Sequence, residues 1–294
     1  MSSVAVIAHS GKTLDGGLPE LRKSLKRHGV PDPLWIEVDK SRKAPKQIQS
    51  ALDQGAELVF VWGGDGMVQR GVDVLAGTDA TMAIVPAGTA NLFASNLGIP
   101  KKIDGAVEAG LKGERRKLDV GSMNGEKFAV MAGVGFDALV IHAANSELKR
   151  VLGRTAYVWA AAKNLRAQPF DAEVEVDGEE WYDGPASCVL FGNVGEAFAG
   201  VKAFKDAHPD DGLLDIGVAS ADGVTEWGRT LARSALSDVR KSPFVHVTKG
   251  QSVAVKLSRK VLYELDGGDR AKKKAFRVDI QPGAVTVCVP AGRA

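Results

Sequence analysis

The chain has 294 residues, of which 45% are hydrophobic and 25% charged, a mixture that excludes a disordered chain. At roughly 150 residues per domain, this length suggests two domains. With 38 basic and 36 acidic side chains the formal net charge is +2, too balanced to make nucleic acid the default partner. Glycine is in excess, 34 residues or about 12% against a usual ~7%. Glycine lets a backbone approach a ligand closely.

From the N-terminus, strand and helix signals alternate. Val4 to Ala8 is a short apolar run, too short and without the basic leader of a secretory signal. Leu18, Leu21, Leu25 and Val30 keep helical spacing, with Arg22, Lys23, Lys26 and Arg27 between them. Leu34 to Val38 reads as a strand. Ile48, Ala51 and Leu52 mark a second helix, and Pro45 suits its first turn. Leu58 to Trp62 is apolar on both faces, as in a buried parallel sheet. A glycine-rich turn follows, then a helix carrying Met67, Val68, Val72 and Leu75, then the strand Thr81 to Val85. This order predicts an open α/β sheet.

The uncharged window Ala80 to Pro100 reaches transmembrane length. Pro86, Gly88, Asn91, Gly98 and Pro100 within it exclude a uniform lipid-facing helix. The expectation is a soluble, cytoplasmic protein.

Near Leu118 the pattern changes. Strands are predicted at Lys127–Gly133, Ala172–Val176, Ala186–Phe191, Leu214–Ala219, Phe244–Val247, Ser252–Leu257, Phe276–Ile280 and Ala284–Val289, with a hairpin turn at Asp177-Gly178. Helices are predicted near Leu148–Leu165 and Thr225–Val239. The second half therefore reads as mainly antiparallel β, and a ligand belongs in the cleft between the halves. Cys188 and Cys288 sit in apolar strand-like runs and read as buried free thiols. His9, His28, His142, His208 and His246 show no zinc spacing.

Two strand ends carry candidate chemistry. Gly63-Gly64-Asp65-Gly66-Met67 follows a buried strand and opens a helix. Glycines there expose N–H groups, and a helix N-terminus favours an anion. Asp65 would repel a bare phosphate, so it works through a metal or its waters. The alternative is a plain strand–helix turn with Asp65 as N-cap. Pro86-Ala87-Gly88-Thr89-Ala90-Asn91 repeats the arrangement after the next strand. Alone it reads as a helix capped by Thr89; the pairing of the two loops favours a ligand site. Gly11-Lys12-Thr13 lacks the earlier glycine of a P-loop, since that place is Val6.

With His208-Pro209-Asp210-Asp211-Gly212-Leu213-Leu214-Asp215 and Tyr263-Glu264-Leu265-Asp266-Gly267-Gly268, these motifs resemble the diacylglycerol kinase catalytic family. That family includes bacterial lipid kinases and relatives of sphingosine and ceramide kinases. The resemblance spans nearly the whole chain. It implies an NAD kinase/diacylglycerol kinase-like fold. An N-terminal open α/β nucleotide-binding domain would occupy 1–118, and a C-terminal antiparallel β-sandwich-like domain 119–294, whose last strand returns to the first domain. It implies ATP- and Mg²⁺-dependent phosphorylation of diacylglycerol or a similar lipid alcohol, in phospholipid biosynthesis. The partners are a lipid at the inner membrane face and a second copy in a homodimer, with no nucleic acid and no transmembrane segment.

By the same resemblance ATP lies across Gly63, Gly64, Asp65, Gly66, Met67, Val68, Gln69 and Arg70, with Gly88, Thr89 and Asn91 near its phosphates. The loop Gly11–Thr13 borders that site. Asp211 gives Mg²⁺ a carboxylate, with main-chain oxygens of His208 and Leu213. On the residues alone, the same segment also reads as an acidic turn before a strand.

Two positions depart from the family. Met67 stands where it has Thr, removing a hydroxyl while keeping the N–H. Gly268 stands where it has the Glu that serves as base. Asp269 or Asp266 then takes that role, Asp269 as base and Asp266 as the residue that orients the turn. The rivals are an NAD kinase-like enzyme, against which the missing Gly-Ser-Thr-Ala-Tyr segment counts, and a nucleotide- or lipid-binding protein without catalysis. Arg115–Lys117 and Lys272–Lys274 read as solvated turns. Val224, Trp227, Leu231, Ala235 and Val239 form one apolar helix face, read as core packing.

Overall fold

The computed structural model describes residues 3–135, 169–198, 201–202, 204–220 and 244–292. In the N-terminal half, strands β1 (Val4–His9), β2 (Leu34–Val38), β3 (Leu58–Gly63) and β4 (Thr81–Pro86) alternate with helices α1 (Gly17–Arg27), α2 (Ala44–Asp53) and α3 (Asp65–Leu75). The strands are parallel, in the order β4-β3-β1-β2. Every residue of β3 and β4 is buried, so neither can show polar/apolar alternation. Pro45 lies in the first turn of α2. Val30 lies past α1 and closes it, its N–H donating to the Leu25 carbonyl at 2.9 Å. Helices α4 (Leu92–Asn96) and α5 (Ile103–Lys112) complete this half. The uncharged window thus becomes a strand, a loop and one short helix. Among the described residues no helix is long and apolar enough to cross a membrane.

The other half contains β5 (Glu114–Met123), β6 (Glu126–Phe128), β7 (Met131–Val134), β8 (Phe170–Val176), β9 (Glu179–Ala186), β10 (Cys188–Gly192), β11 (Glu196–Phe198), β12 (Val201–Lys202), β13 (Leu214–Ala219), β14 (Val245–Gly250), β15 (Ser252–Leu265) and β16 (Gly268–Val289). Apart from the small β11–β12 pair, these strands follow the order β14-β13-β10-β7-β15-β16, with β8 and then β9 branching from β15 and β5 and then β6 from β16. A second apolar cluster, including Phe128, Phe170, Phe191, Ile216, Tyr263 and Phe276, fills this half. Both cysteines are free and buried, and burial pushes the Cys188 thiol up to about 12.

The structure departs from the sequence reading at several strands. Arg115–Lys117 is the start of strand β5, not a turn. Its apolar second half, Leu118 and Val120, is fully buried, while pairing with β16 carries the charged first half outward. β9 begins with two glutamates and is mostly exposed, because it pairs only with β8. Residues 127–133 do not form one strand. The Asp266 carboxylate accepts from the N–H groups of Ala129, Val130 and Met131, which interrupts the ladder between β6 and β7. Residues 276–280 and 284–289 are one strand with an irregularity between Gln281 and Val285. The predicted helices near 148–165 and 225–239, with the Val224–Val239 face and His142, lie outside the described residues.

Strand β16 links the halves. Its first part pairs with β15, and its end lies parallel to β4 through Thr286 opposite Thr81 and Val287 opposite Met82. Asp119, only 2% exposed, braces the crossing point. Its carboxylate accepts from Gly212 N–H and Gly283 N–H, each at 2.7 Å, and its own N–H donates to the Pro209 carbonyl at 2.6 Å. An Asn side chain offers one acceptor oxygen in place of two. Asp119→Asn is therefore expected to cost about 1–3 kcal/mol in urea unfolding. An unchanged midpoint would show that the brace contributes nothing.

Candidate active site

β3 and β4 end side by side, with Gly63 opposite Pro86, so their two loops emerge at the carboxyl edge of the parallel sheet. The loops approach closely at Gly64 and Gly88. A Cβ added to Gly88 would stand 2.3 Å from Gly64 Cα and 2.6 Å from Asn91 Oδ1. Neither glycine is there for a left-handed backbone; each is there because no side chain fits between the loops. Trp62 donates its indole N–H to the Lys12 carbonyl at 3.3 Å, which sets the first loop, Gly11–Thr13, beside Gly63.

Asn91 shapes the second loop from inside. It adopts a left-handed conformation, φ 51°, which Asn tolerates better than most residues. Its side chain accepts from Gly88 N–H at 2.9 Å and donates to the carbonyls of Gly88 and Pro86 at 2.8 and 3.2 Å. Asn91, not Thr89, is the residue at the N-terminal boundary of α4, and Thr89 is exposed.

Asp65 ties the loops together. Gly64 holds the N-cap position of α3, and Asp65 is the first helical residue. Its two carboxylate oxygens accept from Asn91 N–H at 2.9 Å and Leu92 N–H at 2.5 Å, capping α4 from the neighbouring loop. Burial raises its pKa, and these backbone donors oppose the rise. Met67, Val68 and Gln69 are buried, and the Met67 N–H donates to the Gly64 carbonyl at 2.8 Å. In the segment Gly63–Arg70, Gly64, Asp65, Gly66 and Arg70 keep some exposure. Arg70 pairs with Asp73 at 2.9 Å.

A hairpin from the β half joins this site. Asp266 and Gly267, at φ 47° and 81°, form a two-residue turn closed by Leu265 opposite Gly268. The Asp266 carboxylate accepts from Ala129, Val130 and Met131 at 2.8, 2.9 and 3.0 Å. Burial still pushes its pKa up to about 6 against those donors, and the charge of Asp65 adds to the rise. Ala129, Val130 and Met131 belong to the apolar core of the N-terminal half, so the turn lies against that half.

Alternation along β16 puts Gly268 and Asp269 on opposite faces. A side chain at Gly268 would meet the Arg270 guanidinium, 2.9 Å from the added Cβ. Asp269 is exposed and lies opposite Glu264, which itself lies opposite Gly133. Leu190, opposite Gly133 on the next strand, packs against the N-terminal core. The face shared by Asp269, Glu264 and Leu190 therefore looks toward the N-terminal half.

Glu264 has no role in the motif reading. Its signal was a lone carboxylate between Tyr263 and Leu265, in an apolar strand before a tight turn. It is 3% exposed and accepts from Gly267 N–H at 2.8 Å. Burial, with smaller contributions from Asp266 and Asp269, pushes its pKa up to about 8.

The segment His208–Asp215 is strapped down by protein cations. Arg116 pairs with Asp210. Asp211 accepts from Leu213 N–H at 3.0 Å on one oxygen and from Lys249 Nζ at 2.9 Å on the other. Lys249 Nζ also lies 3.2 Å from Asp215 and donates to the Asp206 carbonyl at 2.8 Å. Among the described residues, no three His, Cys, Asp or Glu side chains gather as a metal site. Both Asp211 oxygens are thus engaged from within the chain, one by the Lys249 ammonium and the other by the Leu213 N–H.

The sequence matches the diacylglycerol kinase catalytic domain over residues 4–123 and the YegS C-terminal NAD kinase beta sandwich-like domain over residues 130–289. A diacylglycerol kinase of Mycobacterium tuberculosis (strain ATCC 25618 / H37Rv) is 30% identical over 276 residues, 90% of this chain and 87% of the relative. A diacylglycerol kinase structure from Bacillus anthracis shares the fold, with TM-score 0.76 at 21% identity over 98% of this chain and 97% of that one. So does an NAD kinase from Archaeoglobus fulgidus in complex with ATP, at 0.57 and 13% over 97% and 92%. The fold is thus the two-domain kinase fold of an N-terminal α/β domain and a C-terminal β-sandwich. The chain belongs to the diacylglycerol kinase catalytic-domain family, and it is a lipid kinase.

Two predictions follow from this geometry. Gly88→Ala pushes the loops apart, so nucleotide affinity should fall about tenfold or more, read as a lost nucleotide-induced rise in Tm. An undiminished rise would place the nucleotide elsewhere. Glu264 binds its proton more tightly when folded than at its ordinary 4.5. Its contribution is full below that value and is lost as pH rises toward 8. Glu264→Gln should flatten the fall of stability between about pH 4.5 and 8; a decline as steep as in the parent would show that Glu264 is ionised throughout.

Proposed function

We propose that the chain transfers the γ-phosphoryl group of ATP, as its Mg²⁺ chelate, to the hydroxyl of diacylglycerol or a similar lipid alcohol. The observation that carries this reading is the side-chain-free cradle at Gly64 and Gly88. Two backbone loops at adjacent strand ends suit a polyphosphate, which needs N–H donors and close approach. The N-terminus of α3 adds a favourable dipole. Asp65 works from behind this surface, holding the two loops at their spacing. Mg²⁺ travels with the nucleotide and neutralises phosphate charge.

The acceptor oxygen attacks the γ-phosphorus as the bond to the ADP oxygen breaks, and the hydroxyl proton passes to a carboxylate. Asp269 is the carboxylate we assign to that step. It is exposed on the face that looks toward the nucleotide-binding half, while Asp266 spends both oxygens on backbone donors. Gly268 supports the second reading, a family member that binds nucleotide and lipid without turnover.

Incubation with labelled ATP, Mg²⁺ and diacylglycerol-containing vesicles should yield labelled phospholipid. Asp269→Asn should then lower kcat by ~10² to 10⁴ with ATP binding nearly unchanged. Normal turnover by that variant, with loss in Glu264→Gln, would move the base to the neighbouring strand. No labelled lipid from the parent protein with any lipid alcohol would favour the binding-only reading.

A further inference from the structure

The acidic segment after β12 has the composition of a cation-binding loop, and its charge is answered from within the chain. Lys249 lies directly opposite Asp215 in the antiparallel β13–β14 pair. Facing residues of such a pair share one face of the sheet. The register alone therefore delivers a lysine to the buried carboxylate of Asp215, which is 4% exposed. From there the flexible stem carries the ammonium to the loop. Nζ meets the Asp206 carbonyl at 2.8 Å, Asp211 Oδ2 at 2.9 Å and Asp215 Oδ2 at 3.2 Å. The ammonium donates hydrogen bonds to the first two oxygens and meets the third as an ion pair without hydrogen-bond geometry.

The geometry argues that this arrangement replaces a metal. The carboxylates of Asp210, Asp211 and Asp215 are met by Arg116 and Lys249. Mg²⁺ requires oxygens at about 2.0–2.1 Å in a near-octahedral set. An ammonium in contact with Asp211 and Asp215 claims the same oxygens and repels a second cation. The remaining Asp211 oxygen is engaged by Leu213 N–H, and the Pro209 carbonyl by Asp119 N–H.

We propose that the Lys249 ammonium is the built-in counter-ion of the loop 206–215, standing in place of a divalent cation. This half of the molecule then keeps its structure without bound metal, and any Mg²⁺ requirement belongs to the nucleotide alone. The lysine is tethered, so chelation cannot remove it.

The test uses nucleotide-free full-length protein, which separates it from the lipid kinase reading. Thermal unfolding of the parent in EDTA and in millimolar MgCl₂ or CaCl₂ should give midpoints within about 1 °C of each other. MnCl₂ titration followed by electron paramagnetic resonance should show no tight bound ion. Lys249→Met removes the charge and keeps a stem of similar length. It should lower Tm and gain a rise of roughly 2–4 °C in millimolar Mg²⁺ or Ca²⁺, as the freed oxygens take up a hard cation. Lys249→Arg should keep the parent's indifference to metal. A parent Tm that climbs with Mg²⁺, and stops climbing in Asp211→Asn, would overturn the proposal. Where Lys249→Met does not fold, the parent and Asp211→Asn titrations decide it: Asp211→Asn should lose the same stability in EDTA as in Mg²⁺.

Discussion

A single strand sets the geometry of the whole molecule. β16 leaves the Asp266–Gly267 turn paired to β15, passes Asp119 at an irregularity, and ends beside β4. The hairpin that carries Asp269 and the sheet that carries the glycine loops are therefore two ends of one hydrogen-bonded ribbon. Strand pairing is stiff along its length, so the separation of the two half-sites is set by register. Asp119 holds the crossing by joining Gly283 of β16 to Gly212 of the acidic loop, which brings that loop under the same constraint.

Buried and half-buried carboxylates do most of the fastening, and they do it through backbone N–H groups. Asp65 caps α4 from a neighbouring loop, Asp266 collects three donors between β6 and β7, and Asp119 takes two glycines. A carboxylate accepts several bonds at once and so satisfies N–H groups that a break in helix or strand would leave bare. The cost is desolvation, visible in the upward pressure on Asp65 and Asp266. The residues that read as chemistry from sequence are thus partly architectural. Asp65 holds the two glycine loops together from behind.

The hairpin shows how one substitution redistributes roles. With glycine at position 268, the Arg270 guanidinium folds over the turn, donating to the Gly268 and Asp269 carbonyls at 3.0 and 3.2 Å and to Glu126 at 2.6 Å. On the opposite face Asp269 and Glu264 stand across from one another. Burial, with smaller contributions from Asp266 and Asp269, pushes the Glu264 pKa up to about 8.

The sequence by itself determined the alternating α/β half, because fully apolar runs such as Leu58–Trp62 and the helix spacing of α1 to α3 are local properties. It also determined where the glycine loops fall, since both follow directly from strand ends. It could not yield β5 or β9, whose charged residues are tolerated only because particular neighbours pair with them. Nor could it tell that Asp266 would break the 127–133 strand, an interaction across more than 130 residues. The close approach of Gly64 and Gly88, the face on which Asp269 lies, and the arrival of Lys249 at the acidic loop were decided by tertiary structure alone. Each depends on which strand stands next to which, and strand neighbours far apart in the chain leave no periodicity in either segment.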